Sequence, residues 1–183
     1  MAVDKPFSGF SAPAAAPEGP LDKLVECHRR LERQCATLQR LVPHLLELGA
    51  DEQARTMATG VMRYFDTAGK HHHEDEELDL FPALIESMAG SDAVCIRDMT
   101  DALTADHRAL EPQWQGLRAV LVRVLAGESV TLDVQAVEAF NSTYARHIER
   151  EEGELLPMAA RLLGVAELEK IGRAMRLRRG IDD

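Results

Sequence analysis

Leucines recur at near-heptad spacing through residues 21–48, at Leu24, Leu31, Leu38 and Leu45 with Leu41 between, and polar residues fill the positions around them. Such a stripe predicts an amphipathic helix, whose last turns Pro43 is expected to kink or end. Asp51 is placed to cap a second helix that runs through Val61, Met62 and Phe65 to a histidine run at residues 71–73. Phe81-Pro82 is expected to interrupt it, with one more turn over residues 83–88. A turn at residues 89–92 leads to a third helix over about 93–125, with Pro112 inside it. After a second turn at 126–129, Thr131 or Asp133 starts a fourth helix carrying Val134, Val137, Phe140 and Tyr144 on one side. Pro157 is expected to break that helix after Leu156, and a short amphipathic segment over 165–179 closes the chain.

No period-2 alternation flanked by hairpin turns appears, so the pattern predicts an all-α protein. Short connections imply an up-down-up-down four-helix bundle with a short extra C-terminal helix. Residues 1–20 are Pro/Ala-rich and non-periodic and read as a disordered tail. The bundle is expected over 21–160, with the C-terminal helix of 161–183 packed on or beside it.

The chain also repeats itself. His28-Arg29-Arg30-Leu31-Glu32-Arg33-Gln34 matches His107-Arg108-Ala109-Leu110-Glu111-Pro112-Gln113 at five of seven positions. His72, Glu74, Glu76, Glu77, Leu80 and Pro82 align without gaps on His147, Glu149, Glu151, Glu152, Leu155 and Pro157, and Phe65 aligns on Phe140. Two helical hairpins related by a pseudo-two-fold axis follow, and a ligand set that occurs twice about such an axis suits two metal ions.

Each predicted helix carries His-x-x-x-Glu: His28/Glu32, His72/Glu76, His107/Glu111 and His147/Glu151. Residues four apart share a helix face, with Cβ atoms about 6 Å apart, so an imidazole and a carboxylate reach the same or adjacent ions. All eight are candidate metal ligands. Imidazole suits iron and zinc, and several carboxylates favour harder ions such as ferric iron or manganese. Two iron ions are the expectation, with zinc or manganese as alternatives.

Net charge sharpens this picture. The chain of 183 residues carries −10, much of it in the motif segments 71–77 and 149–152, where bound cations would neutralise it. The acidic balance argues against nucleic acid and anionic membranes as partners. No run of apolar residues is long enough to span a membrane, and no apolar leader is evident at the N-terminus. Cys27, Cys35 and Cys95 form no C-x-x-C pair, so a reducing cytoplasm is expected.

The order H…HxxxE…H…HxxxE, with a proline ten residues after His72 and after His147, resembles the hemerythrin-like (HHE cation-binding) domain over roughly residues 21–160. The resemblance implies an oxo- or hydroxo-bridged di-iron centre in the bundle core. His28 and His72 would bind one iron, His107 and His147 the other, and Glu76 and Glu151 would bridge them. In hemerythrin itself the third helix supplies a second histidine four residues after the first. Here that place is Glu111, and Glu32 is its counterpart by the repeat; a solvated Glu32 paired with Arg29 or Arg33 is the rival reading. Two further carboxylate ligands would favour the ferric state. One-way oxidation is therefore expected over reversible oxygen carriage.

His71 and His73 flank His72 by about 100° on the helical wheel and are expected to face away. His44 is expected at the surface, Cys35, Phe65, Phe140 and Trp114 in the core, and Glu77 and Glu152 beside the site or in solvent. A redox role for Cys27, next to His28, is a minor alternative. Tyr144 lies one turn before His147 while Gly69 holds the matching place before His72, so the Gly69 side should be more open. The basic end, residues 170–179, reads as a solvated helix.

Three roles remain open at this level. One is a sensor or carrier of dioxygen. Another is an enzyme that consumes peroxide, nitric oxide or oxygen, or oxidises ferrous iron. A third is a metal-holding protein. No protein partner is specified.

Overall fold

The computed structural model describes residues 19–88 and 92–181, with the side chains of residues 92 and 93 excluded. Residues 1–18 of the expected tail and the turn at 89–91 lie outside that range. The described residues form helices joined by short connections, without strands.

Pro20–Leu48 forms α1, with Pro20 at its first turn and the Gly19 amide donating to Asp22 at 3.0 Å. Pro43 sits inside the helix, which continues to Leu48. Gly49 then turns the chain at a φ of 70°, a left-handed conformation that costs glycine nothing. Asp51 caps α2 (Glu52–Arg63), accepting from the Ala54 amide at 2.7 Å. His44 is not a free surface residue: its Nε2 lies 2.8 Å from the same Asp51 carboxylate.

The second rod is longer than the proline pattern predicts. From α2 it passes through a π-helical turn (Tyr64–Ala68), α3 (Gly69–Asp75), a second π-turn (Glu76–Leu80) and α4 (Phe81–Ser87). After α5 (Asp92–Leu125), the fourth rod does the same through α6 (Val134–Arg150), a π-turn (Glu151–Leu155) and α7 (Leu156–Leu162). Asp133, rather than Thr131, caps α6. Pro82 and Pro157 therefore interrupt neither helix. Each is the second residue after a π-turn, in which Phe81 N–H bonds Glu76 O and Leu156 N–H bonds Glu151 O. The widened backbone there makes room for a ring that an α-helix would crowd against the carbonyl four residues earlier.

The rods contact one another in the ring α1–α2–α5–α6–α1, and α8 (Val165–Arg178) packs across α1, α3 and the Glu76–Leu80 turn. Its basic end is solvated only in part: Lys170 and Arg173 are exposed, but Arg178 and Arg179 both reach the fully buried Asp75.

Two apolar clusters fill the core. One gathers Leu31, Leu38, Phe65, Leu110, Trp114, Phe140 and Tyr144. The other gathers Leu24, Leu80, Leu84, Leu103, Leu155 and Met175. His28 lies between Leu24 and Leu31 on α1, and His107 between Leu103 and Leu110 on α5. A polar layer thus separates the two clusters.

Candidate metal centre

His28, His72, His107, His147, Glu76 and Glu151 form this layer, each at most 3% exposed. Their donor atoms fall into two groups, His28/His72/Glu76/Glu151 and Glu76/His107/His147/Glu151, with the atoms of each group within 4.8 Å of one another. Both glutamates belong to both groups. His72 Nε2 lies 3.0 Å from Glu76 and His107 Nε2 3.2 Å from the other oxygen of Glu76. On the far side, His28 Nε2 is 3.0 Å and His147 Nε2 3.4 Å from the two oxygens of Glu151. The repeat in the chain is thus a repeat in space.

These contacts are close, yet several atoms in them lack a hydrogen bond of proper geometry: Nε2 of His28 and His72, Oε2 of Glu76, and both carboxylate oxygens of Glu151. A buried polar atom without a partner costs about 1–3 kcal/mol, so such a layer is poorly satisfied by protein alone. Imidazole nitrogens and carboxylates aimed at common points are the donor set a transition metal takes. The residues present therefore fit a pair of cations.

Burial and the adjacent Glu151 charge raise the Glu76 pKa well above the ordinary carboxylate value. Burial, together with the neighbouring imidazoles, lowers His72 well below the ordinary histidine value. Burial also lowers His28, but the Glu151 carboxylate 3.0 Å from its Nε2 and the charge of Glu76 outweigh that and raise it. A neutral His72 is the form that binds a metal.

Outside the donors, the two-fold arrangement continues. His28 Nδ1 contacts Glu152 at 3.0 Å, and Arg29 holds that carboxylate at 3.0 Å. His107 Nδ1 contacts Glu77 at 2.7 Å, and Arg108 holds it at 2.6 Å. Each carboxylate accepts the Nδ1–H and leaves Nε2 free to face the centre, an arrangement that fixes tautomer and ring orientation. Glu77 and Glu152 are thus placed beside the site. The roles of Arg29 and Arg108 escaped the sequence reading, although the His-Arg pair occurring in both repeats was a usable signal. Asp106, 3.5 Å from His147 Nδ1, had no such signal.

Glu32 and Glu111 stand outside both groups. Glu32 is exposed and pairs with Arg29 at 3.3 Å, the rival reading of this residue. Glu111 is exposed and accepts from Gln115 at 2.9 Å. Four residues along an α-helix rotate a side chain about 40° past its starting direction. On α1 and α5 that carries the carboxylate off the core face. Only the two motifs whose glutamate opens a π-turn keep it inside. Two extra carboxylates that would favour one-way oxidation are therefore not among the clustered donors. Glu32→Gln and Glu111→Gln should each leave metal content within about 10% of the parent and shift stability by less than about 0.5 kcal/mol, as exposed substitutions do; metal analysis and thermal melts check this.

His73 does not face away. Its ring stacks on His107 at 3.9 Å between centroids, and its Nε2 lies 3.4 Å from the Tyr144 hydroxyl. A direction 100° from the core axis is the flank that meets the neighbouring helix, not solvent. Cys35 is buried in the core and its thiol is pushed up to about 12 by burial. Burial also raises Cys27, which disfavours the thiolate a redox role requires.

Fold and donor set together define an all-α protein with a histidine–carboxylate cation-binding core. The chain belongs to the hemerythrin family, as a hemerythrin HHE cation-binding domain: the family model matches residues 19–159. It is also similar to an uncharacterized protein of Haemophilus influenzae, 29% identical over 164 residues that cover 90% of this chain and 92% of that protein. Among the described residues, no helix is long and apolar enough to cross a membrane.

Proposed function

We propose that this chain holds two iron ions in its core and uses them to bind or react with a small oxidant, dioxygen or a relative of it such as peroxide or nitric oxide. The observation that carries this reading is the sharing of Glu76 and Glu151 between the two donor groups. A shared carboxylate serves two adjacent ions, whereas isolated zinc sites are commonly closed by four ligands of their own. His28 and His72 would hold one ion, and His107 and His147 the other. Glu152 and Glu77 would orient one imidazole of each pair. With Glu32 and Glu111 outside, four imidazoles and two bridging carboxylates leave positions on the ions for an exogenous ligand. A bound iron pair would supply the electrons that such an oxidant takes up.

Metal analysis with an optical spectrum of aerobically purified protein tests this. Two irons per chain and near-ultraviolet charge-transfer bands are expected. Stoichiometric zinc with a featureless spectrum would contradict it.

A further inference from the structure

The two halves of the repeat differ on one side of the bundle. A cleft of about 350 Å³ opens between the Tyr64–Ala68 π-turn and α5, lined among others by Phe65, Gly69, His73, Glu111, Trp114 and Tyr144. Its walls are tied together: Asp66 accepts from Trp114 Nε1 at 3.0 Å and from Arg118 Nε at 2.9 Å.

The repeat-related positions are built differently. Tyr144 stands where the first half has Gly69, and the apolar Ile148 stands where it has His73. The π-turn itself has no counterpart, because the corresponding residues 139–143 lie within the uninterrupted α6. Where Gly69 removes a side chain, the cleft opens. At its inner end the His73 ring lies on His107, which is itself only 3.1 Å from His147 between Nε2 atoms. His73 therefore stands between the cleft and the His107–His147 half of the centre, with the Tyr144 hydroxyl beside it.

We infer that this cleft is the port by which a small hydrogen-bonding ligand, of the size and chemistry of dioxygen or azide, reaches the His107–His147 half, and that His73 is the positioning residue at its inner end. The inference rests on the proposed function, since it supposes a metal pair at the end of the port. Gly69 keeps the passage clear. A Cβ added there would meet Phe65 Cδ1 at 3.4 Å and the Tyr64 carbonyl oxygen at 3.6 Å, so a long side chain at this cleft-lining position competes with the cleft for space. At the repeat-related position Ile148 offers no hydrogen bond.

Azide association with the oxidised, metal-loaded protein, followed by stopped-flow absorbance, provides the test. Gly69→Met should slow azide association at least tenfold while keeping two metal ions and the parental resting spectrum. Gly69→Leu gives the same reading should the methionine variant fold poorly. His73→Ala should weaken azide affinity about tenfold without slowing association, and His73→Gln should recover part of that loss. A merely structural role for His73 would lower metal content and stability instead.

Trp114 is the single tryptophan and lines the cleft, so acrylamide quenching of its emission reads the cleft without metal. Quenching should fall in Gly69→Met. Parental azide kinetics in the filled variants, with two ions bound, would overturn the port and leave the metal reading intact. A chain that binds no metal would overturn the proposed function, and unchanged Trp114 quenching in Gly69→Met would overturn the cleft as a passage in any case.

Discussion

Replacing Glu76 by Ala should take the protein from two bound metal ions to fewer than one, a larger loss than any single histidine substitution. Glu76 belongs to both donor groups, whereas His28 belongs to one; His28→Ala should retain about one ion. Metal binding to such a site is also folding energy, so Glu76→Ala and chelation of the parent should both lower the melting temperature. Each kcal/mol lost is worth about 2–4 °C in a chain of this size.

The pH dependence gives the same residue a second signature. In the metal-free protein the Glu76 pKa is raised well above its ordinary value of 4.5 by burial and by Glu151. The folded form then holds a proton that the unfolded form releases, so metal-free stability falls as pH rises above 4.5 toward the raised value. His72, lowered by burial, works in the opposite direction below its ordinary 6.5. The difference between parent and Glu76→Gln isolates the carboxylate. The metal-free variant should lose the downward slope and melt higher than the metal-free parent near neutral pH. Metal displaces the proton, so metal affinity should rise with pH in the parent. A metal-free parent whose stability relative to Glu76→Gln does not change with pH would contradict the buried carboxylate beside Glu151.

The second large effect lies at the C-terminal helix. Asp75 is fully buried, adjacent to Glu76, and its carboxylate is held by Arg178 and by Arg179, the latter at 2.6 Å, while Arg178 also reaches Asp79 at 2.7 Å. Removing both cations strands a buried charge, a loss of about 3–5 kcal/mol. Arg179 is 27% exposed, which places the expectation at the low end: about 3 kcal/mol for Arg178→Ala/Arg179→Ala, or roughly 6–12 °C. Asp75→Ala should cost less, because the freed guanidiniums can turn to water. Denaturant midpoints of the three proteins check the order. A double variant as stable as the parent would mean that α8 contributes nothing through this clasp.

The features legible in the chain were those with a local period. The leucine stripe of α1, the His-x-x-x-Glu repeats and the matched halves are spacing patterns, and they located the helices and the six residues of the buried histidine–glutamate layer. Continuity through Pro82 and Pro157 was not legible, because the π-turns that admit them interrupt a 3.6-residue period without any residue type that announces them. The same motif at four places had two outcomes, buried at Glu76 and Glu151, where a π-turn opens, and exposed at Glu32 and Glu111, where the α-helix runs on. The place of His73 depends on α5 lying against its flank, and the Asp75 clasp joins residues about a hundred positions apart; a single helical wheel carries neither.

The shared carboxylates are the centre of this account, and anomalous diffraction from metal-loaded crystals, recorded at the absorption edge of the bound metal, tests them most directly. Two peaks per chain are expected, about 3.5 Å apart as in bridged two-metal sites, lying between Glu76 and Glu151 with His28 and His72 at one and His107 and His147 at the other. A single peak, or a pair of peaks away from these two glutamates, would contradict it.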